Sequence, residues 1–272
     1  MKKLTFYYDT HLRFSSPVSN HEFLLRCVPP DLPEQEIGEF FLLVRPTARG
    51  GAMGSDGFGN RIYTGRIPES HRFFRYTVRG IALRDDSKRK ICEPLPAFRY
   101  KSPLTLPSWP MREFLKSLKL GDLSDFDKAA RISKAIHERM SYAPGVTGVR
   151  TTAGEAFLMK KGVCQDYTHV FLALCRMEGI AARYVSGLPE GEGASHAWGE
   201  IWYGGYWHGF DPTRDVPVDE GYLKLACGRD FADCPIESGL FEGGATNQQQ
   251  EVYMKVEAAG ETEPEIQSGA QS

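Results

Sequence analysis

The first hundred residues alternate short hydrophobic runs with turn residues, a pattern typical of β-strands. Aromatic and β-branched side chains dominate the runs 40–44, 61–63 and 73–78, and pairs such as Gly50-Gly51 and Gly59-Asn60 separate them. Prolines then cluster within 93–110, which indicates a linker or an extended crossing. The sequence therefore predicts a β-rich, sandwich-like N-terminal domain over residues 1–105.

After residue 105 the hydrophobic positions take on the helical spacing of three to four. Ser108 and Ser124 stand where the N-caps of two helices are expected, and the motif TAGE (152–155) is a capping box for a third helix. A fourth helix is predicted to begin at Cys164, because apolar residues recur along one face until Gly179 ends it. These signals predict a helical layer in the second part of the chain.

Strand patterns return after the fourth helix. They cover four segments: 181–185, 196–203, 206–210 and 251–257. Residues 259–272 lack large apolar side chains apart from Ile266, so we expect a disordered tail there. The expected fold class is α+β, with the β-rich domain followed by a core of helices packed on an antiparallel sheet over residues 106–258.

Composition excludes several classes of protein. The 272 residues carry a formal net charge of −2, too small to favour binding to nucleic acid or to a membrane surface. The first residues are too polar for a signal peptide, and no apolar run reaches the roughly 18 residues of a spanning helix. We therefore expect a cytoplasmic protein with reduced cysteines. Without a Cys-x-x-Cys pair, neither a zinc site nor another cofactor is expected.

One cysteine stands out by its position in the stretch GVCQDYTHVFLALC (162–175). At the N-terminus of a helix, the positive end of the macrodipole favours a thiolate, and the first backbone N–H groups have no partner within the helix. Cys164 is thus a candidate nucleophile. The alternative is a small buried side chain that begins a core helix.

A hairpin downstream offers a base and a group to orient it. In SHAWGEIWYGGYWHGFDPTRD (195–215), Gly204-Gly205 predicts a two-residue turn between two aromatic-rich strands. That register places Asp211 across from Trp198 and puts both on the same face as His196. Diagonal neighbours lie about 7–8 Å apart at Cα, within reach of an imidazole–carboxylate hydrogen bond. A nucleophile, a base and an orienting group are the parts that cysteine acyl transfer requires.

The blocks GVCQD, SHAW and FDPTRD, in this order, resemble the bacterial transglutaminase-like superfamily, whose members share a papain-like Cys-His-Asp core. The resemblance covers residues 105–258, and the segment SDGFGNRIYTGRIP (55–68) resembles the β-rich region that often precedes this core. It implies that Cys164 is the nucleophile, His196 the general base and acid, and Asp211 the group that orients it. No acidic cluster resembles a calcium loop.

The resemblance implies less about the surroundings of these three residues. Tyr142 is the candidate for the second oxyanion donor, with a core residue at the end of a helix as the alternative. Trp198 is expected to shield the pair from water. Thr168 departs from the alanine that is commoner in the family, and we expect it to affect packing only.

We interpret the sequence as a cysteine enzyme that cleaves a peptide-like amide through a thioester, with a peptide or protein as its partner. The alternatives are amine transfer of the transglutaminase type and a non-catalytic binding or scaffold protein on the same fold. The loops 143–150 and 187–195 are expected to border the cleft. Glu190 and Glu192 in the second loop would favour basic substrates. The oligomeric state stays open.

Overall fold

The structure is a computed structural model, and it describes residues 1–245 and 247–259. The predicted disordered tail therefore lies outside the described residues from position 260 onward. No helix in the described ranges is long and apolar enough to cross a membrane.

The N-terminal part forms a sheet of eight strands, here called the front sheet. It contains β1 (Lys2–Leu25), β2 (Gln35–Arg45), β3 (Arg49–Ser55), β4 (Arg61–Ile67), β5 (His71–Arg84), β9 (Gly191–Gly193), β14 (Glu237–Gly243) and β15 (Gln248–Ala258). The strand β1 runs through both halves of the sheet: residues 2–14 lie between β5 and β15, and residues 18–25 lie between β4 and β14.

The front sheet buries one hydrophobic core that both halves share. Phe6 and Tyr8 from the first half of β1 belong to the same buried cluster as Phe23 and Leu25 from its second half. Three of its strands, β9, β14 and β15, come from the segment 106–258. The division of the chain at residue 105 is thus not the division between the sheets.

A second sheet, here called the core sheet, is antiparallel throughout and has the order β12-β11-β10-β8-β13. Its strands are β8 (Ala182–Pro189), β10 (His196–Tyr203), β11 (Tyr206–Asp211), β12 (Val216–Pro217) and β13 (Tyr222–Gly228). The predicted hairpin register is confirmed, because Gly199 pairs with Phe210 and Trp202 with Trp207. Gly204 and Gly205 both have positive φ, 59° and 92°, as a tight hairpin turn requires.

Four α-helices pack beside the core sheet: α1 (Trp109–Ser117), α2 (Asp125–Arg139), α3 (Ala153–Met159) and α4 (Cys164–Met177). The predicted capping box is present at α3, where Thr152 and Glu155 cap one another's backbone N–H groups. Ser124 likewise caps α2, whereas the Ser108 side chain makes no capping bond to α1. The helix α4 buries most of its length against α2, α3 and the core sheet.

The core sheet lies between the helices and the front sheet. Ala197 and Ile201 of β10 belong to the cluster around α4, whereas Leu188 and Leu223 belong to the cluster of the front sheet. Two buried amides also join the front part to β13. Gln35 donates to the Lys224 carbonyl at 2.9 Å and accepts from its N–H at 2.8 Å.

Asn60 makes the same pair of bonds to Cys227, at 2.8 and 2.7 Å. Buried amides with both ends satisfied fix one backbone against another, so the front sheet has a defined position relative to β13.

Candidate active site

The nucleophile candidate Cys164 is the first residue of α4. Asp166 caps this helix end, since its carboxylate accepts the Val163 N–H at 2.8 Å and the Thr147 hydroxyl at 2.7 Å. Among the six cysteines, four are buried and only Cys92 and Cys164 are partly exposed. Cys164 packs against the buried cluster around α4, but its partial exposure leaves it accessible from the solvent side, as a reactive thiol at a helix N-terminus requires.

The glycine two positions before the cysteine has a steric role. A Cβ on Gly162 would lie 2.5 Å from Oδ2 of Asp166, so a larger residue would displace the capping carboxylate. Gly162 also belongs to a short parallel ladder of β6 (Ser141–Tyr142) and β7 (Lys161–Gly162), in which Tyr142 is its partner. The ladder therefore holds Tyr142 beside the start of α4.

His196 and Asp211 meet as the hairpin register predicts. Nε2 of His196 lies 2.7 Å from Oδ2 of Asp211. His196 and Cys164 line the same cavity, and because Nε2 is taken by Asp211, Nδ1 is the nitrogen left for the thiol. Burial lowers the pKa of His196, but the hydrogen bonds and charges of Asp211 and Cys164 outweigh burial and raise this pKa to about 9.

Asp211 is held by four donors. Oδ1 accepts the backbone N–H groups of Thr213 and Arg214 at 3.0 and 3.2 Å, and Oδ2 accepts the Tyr222 hydroxyl at 2.9 Å besides the imidazole. Burial raises the pKa of Asp211, but these hydrogen bonds and the His196 charge hold it below its usual value. The carboxylate thus stays charged and fixed in orientation.

Sequence reasoning missed Tyr222. It comes from β13, eleven residues after Asp211, and no local turn signal indicates that the two strands lie on either side of the same site.

Trp198 lies on the same side as the His–Asp pair, as expected. Its side chain is only 1% exposed, and its ring packs edge-on against Tyr222 at 5.2 Å between centroids. The indole therefore supports the tyrosine that holds Asp211. Its shielding of the pair from water stays a prediction.

Tyr142 is 58% exposed at the edge of the site. Burial of part of the ring and the negative charge of Cys164 both raise the pKa of Tyr142, which shows that its hydroxyl is within electrostatic range of the sulfur. The alternative of a buried core residue does not fit this exposure. Its role as oxyanion donor stays a prediction.

Other polar residues of α4 have structural contacts. Thr168 is buried, and its hydroxyl donates to the Cys164 carbonyl at 2.8 Å. His169 is also buried, and its Nε2 accepts the Phe231 N–H at 3.2 Å. No group of three or more His, Cys, Asp or Glu side chains in residues 1–245 and 247–259 has the arrangement of a metal site.

Cys164 and His196 open into a cavity of about 420 Å³. Val149 and Ser195 from the two predicted border loops line it. The acidic residues of the second loop are used elsewhere: Glu190 pairs with Lys2, and Glu192 pairs with Lys255. The acidic side chain in the cavity wall is instead Glu237 of β14, a position that no sequence motif indicates.

Two family models match different parts of the chain. Residues 112–212 match the sequence model of the transglutaminase-like superfamily, and residues 4–82 match that of the bacterial transglutaminase-like N-terminal region. The first match contains Cys164, His196 and Asp211.

Curated relatives include two mycobacterial proteins that are described as uncharacterized. One, from Mycobacterium leprae, is 41% identical over 120 residues, 40% of this chain and 43% of that protein. The other, from Mycobacterium tuberculosis H37Rv, is 33% identical over 173 residues, 58% of this chain and 51% of that protein. The chain thus spans about half the length of the curated relatives it matches.

Among solved structures, a candidate cysteine protease from Cytophaga hutchinsonii superposes with a TM-score of 0.70 and 26% identity, over 92% of this chain and 90% of that one. The likeness covers the front sheet as well as the core. The expected fold class is therefore confirmed. By these matches the chain belongs to the transglutaminase-like superfamily, with the bacterial N-terminal region ahead of its core.

Proposed function

We propose that this protein is a cysteine hydrolase that cleaves peptide-like amides. The Cys164 thiolate attacks the carbonyl carbon, and the His196 imidazolium gives its proton to the leaving amine as the C–N bond breaks. The acyl group is then held as a thioester. His196, now neutral, takes a proton from water, whose oxygen attacks the thioester, and the carboxylic acid leaves as the sulfur takes back its electron pair.

The oxyanion of each tetrahedral intermediate needs donors in place before it forms. The backbone N–H of Cys164 is one of the first N–H groups of α4, which have no carbonyl partner within the helix. The Tyr142 hydroxyl is the second donor in this proposal. Its exposure leaves room for the substrate to lie between the tyrosine and the helix end.

The observation that carries the proposal is the position of His196 between Asp211 and Cys164. Asp211 has no exposed side-chain surface and accepts from Nε2, which leaves Nδ1 as the ring nitrogen that can exchange a proton with the sulfur. A pKa of about 9 keeps the ring protonated near neutral pH, which is the form needed to protonate a leaving amine. A scaffold protein would have no need of this arrangement.

Hydrolysis is favoured over amine transfer because Cys164 is partly exposed. An enzyme that transfers the acyl group to an amine must keep water away from the thioester. The cytoplasmic location and a peptide or protein partner, rather than nucleic acid or a membrane, stay predictions.

The test begins with labelling by iodoacetamide at pH 6. We expect Cys164 to react at least about tenfold faster than Cys92, the other partly exposed cysteine, because only Cys164 has an imidazolium partner. The excess should disappear in His196→Ala. Equal labelling of the two cysteines would favour the scaffold alternative.

The reaction itself is tested with a peptide library analysed by mass spectrometry. Wild type and Cys92→Ala should give cleaved peptides, and Cys164→Ala should give none. Adding a free primary amine then separates the two enzymatic reactions. Carboxylic acids as products support hydrolysis, whereas substituted amides as the main products would show that the reaction is amine transfer instead. No product from any peptide, together with equal labelling, would contradict both.

A further inference from the structure

One wall of the catalytic cavity is supplied by the front sheet. Tyr8 of β1, Tyr76 of β5, Glu237 of β14, and Gln250 and Val252 of β15 line the cavity that also contains Cys164 and His196. We call these five residues the front-sheet wall. Because they lie in the same cavity as the nucleophile, the front sheet helps to decide which substrates reach the sulfur.

Glu237 is the acidic residue of this wall, and part of its carboxylate lacks a partner. Oε2 is buried and has no hydrogen-bond partner among the described residues. Burial raises the pKa of Glu237 to about 7, and the nearby Tyr76 hydroxyl offsets part of that rise. Buried polar atoms in native proteins are nearly always satisfied, so an unsatisfied carboxylate oxygen in the same cavity as the Cys164 thiol indicates a place for a ligand.

The atoms around Glu237 point to the same conclusion. The Tyr76 hydroxyl and Oγ1 of Thr10, whose residues are directly paired on β5 and β1, are also buried. The Tyr76 hydroxyl is near enough to Thr10 and Glu237 to interact with both, but it makes no hydrogen bond of normal geometry within the described part of the chain. Glu237 and Tyr76 both line the cavity, and an oxygen of each can accept a hydrogen bond. A group that carries several N–H donors would satisfy these two oxygens together.

The charges and aromatic rings of the cavity lining indicate which kind of ligand it can bind. The described residues that line the cavity include no Lys or Arg, and the one cation among them, the His196 imidazolium, is already paired with Asp211. The rings of Tyr8 and Tyr76 lie 6.1 Å apart at their centroids, and Tyr184 also lines the cavity. The quadrupole of an aromatic ring attracts a cation, and a carboxylate beside the ring attracts the same cation through its negative charge.

We propose that the front-sheet wall binds a primary ammonium group of the substrate through Glu237, and so selects amides that carry one. A primary ammonium has three N–H donors on a compact charge. A peptide could supply it as its N-terminal α-ammonium or as a lysine side chain. That this ligand is a substrate rests on the proposed hydrolase function. Binding of an ammonium group by the front-sheet wall does not depend on that function.

The test therefore uses alkylation of Cys164 and requires no turnover. Pairs of N-alkyl iodoacetamides are compared, in which one compound ends in a primary ammonium and its partner in a methyl group, over a short series of spacer lengths. For at least one spacer we expect wild type to react about tenfold faster with the ammonium compound, the effect of a charge-assisted hydrogen bond.

Three variants separate a binding role from a structural one. Glu237→Gln keeps the shape and removes the charge, so the preference should fall to about twofold or less, while the rate with the methyl compound stays unchanged. Glu237→Asp keeps the charge on a shorter side chain and should retain part of the preference. Glu242→Gln, an exposed position on the same strand, should behave as wild type.

A wild-type protein without any ammonium preference would overturn the proposal, as would a preference that Glu237→Gln retains. Equal loss in Glu237→Gln and Glu237→Asp would also overturn it, because a change of packing alone gives that result. The source of the ammonium follows from protection of Cys164 by two sets of peptide amides, one with a free N-terminus and no lysine, the other N-acetylated with lysine.

Discussion

Asp211→Asn provides the sharpest test of how the site is charged. In wild type the Asp211 carboxylate accepts a hydrogen bond from Nε2 of the charged His196 ring at 2.7 Å, and the pKa of His196 is raised to about 9. A charge-assisted hydrogen bond is worth ~1.5–3 kcal/mol, and one pKa unit corresponds to ~1.4 kcal/mol. The substitution should therefore lower the His196 midpoint by about one to two pH units.

The assay is a pH titration of ¹⁵N-histidine-labelled protein by NMR, with the His196 signals assigned from their loss in His196→Gln. We expect a wild-type midpoint near pH 9. Asp215→Asn, an exposed aspartate in the loop that follows, should leave this midpoint where it is. A wild-type midpoint below neutral pH, or one that Asp211→Asn does not move, would refute the reasoning.

The same shift has a consequence for stability. Because the folded pKa of His196 lies above its ordinary value of 6.5, the charged ring stabilises the folded state fully below pH 6.5. This stabilisation is lost as pH rises through about 9. The rise from 6.5 to about 9 corresponds to about 3 kcal/mol. Urea unfolding should thus show a larger difference between wild type and Asp211→Asn at pH 6 than at pH 10.

Two further substitutions test the supports of the site. Tyr222→Phe removes the 2.9 Å hydrogen bond to Asp211, worth ~1 kcal/mol, so kcat for amide hydrolysis should fall about fivefold with KM unchanged. Unchanged kcat, or an equal fall in a Tyr206→Phe control, would contradict this role. Gly162→Ala would place Cβ 2.5 Å from the Asp166 carboxylate, so the free energy of unfolding in urea should drop by ~1–3 kcal/mol and Cys164 labelling should slow. Gly148→Ala, where no atom lies within 4 Å of the new Cβ, is the matched control, and an equal effect there would exclude the steric explanation.

The parts of the site that sequence reasoning placed correctly are those fixed by local rules. The Gly204-Gly205 turn sets the register of β10 and β11, and that register alone brings His196 next to Asp211. The extent of α4 was predictable from its apolar spacing and from Gly179, which follows the helix with a φ of 79°.

Sequence reasoning failed where the contact joins strands that are not neighbours in one sheet. Tyr222 reaches Asp211 from the opposite edge of the core sheet, and Glu237 reaches the cavity from the front sheet. Neither position has a distinctive neighbouring motif. The pairing of β14 and β15 with β1 cannot be predicted from the sequence either, because a strand pattern predicts that a segment is extended but not which strand it pairs with.

Because β1 pairs with β14 and β15, the front sheet cannot be completed until the last strands have been synthesised. Translation produces Cys164, His196 and Asp211 before it produces Glu237 and Gln250. A nascent chain that ends between these two groups contains Cys164, His196 and Asp211 but lacks part of the front-sheet wall. If that wall selects amides as proposed, the selection begins only after β14 and β15 have left the ribosome and paired with β1.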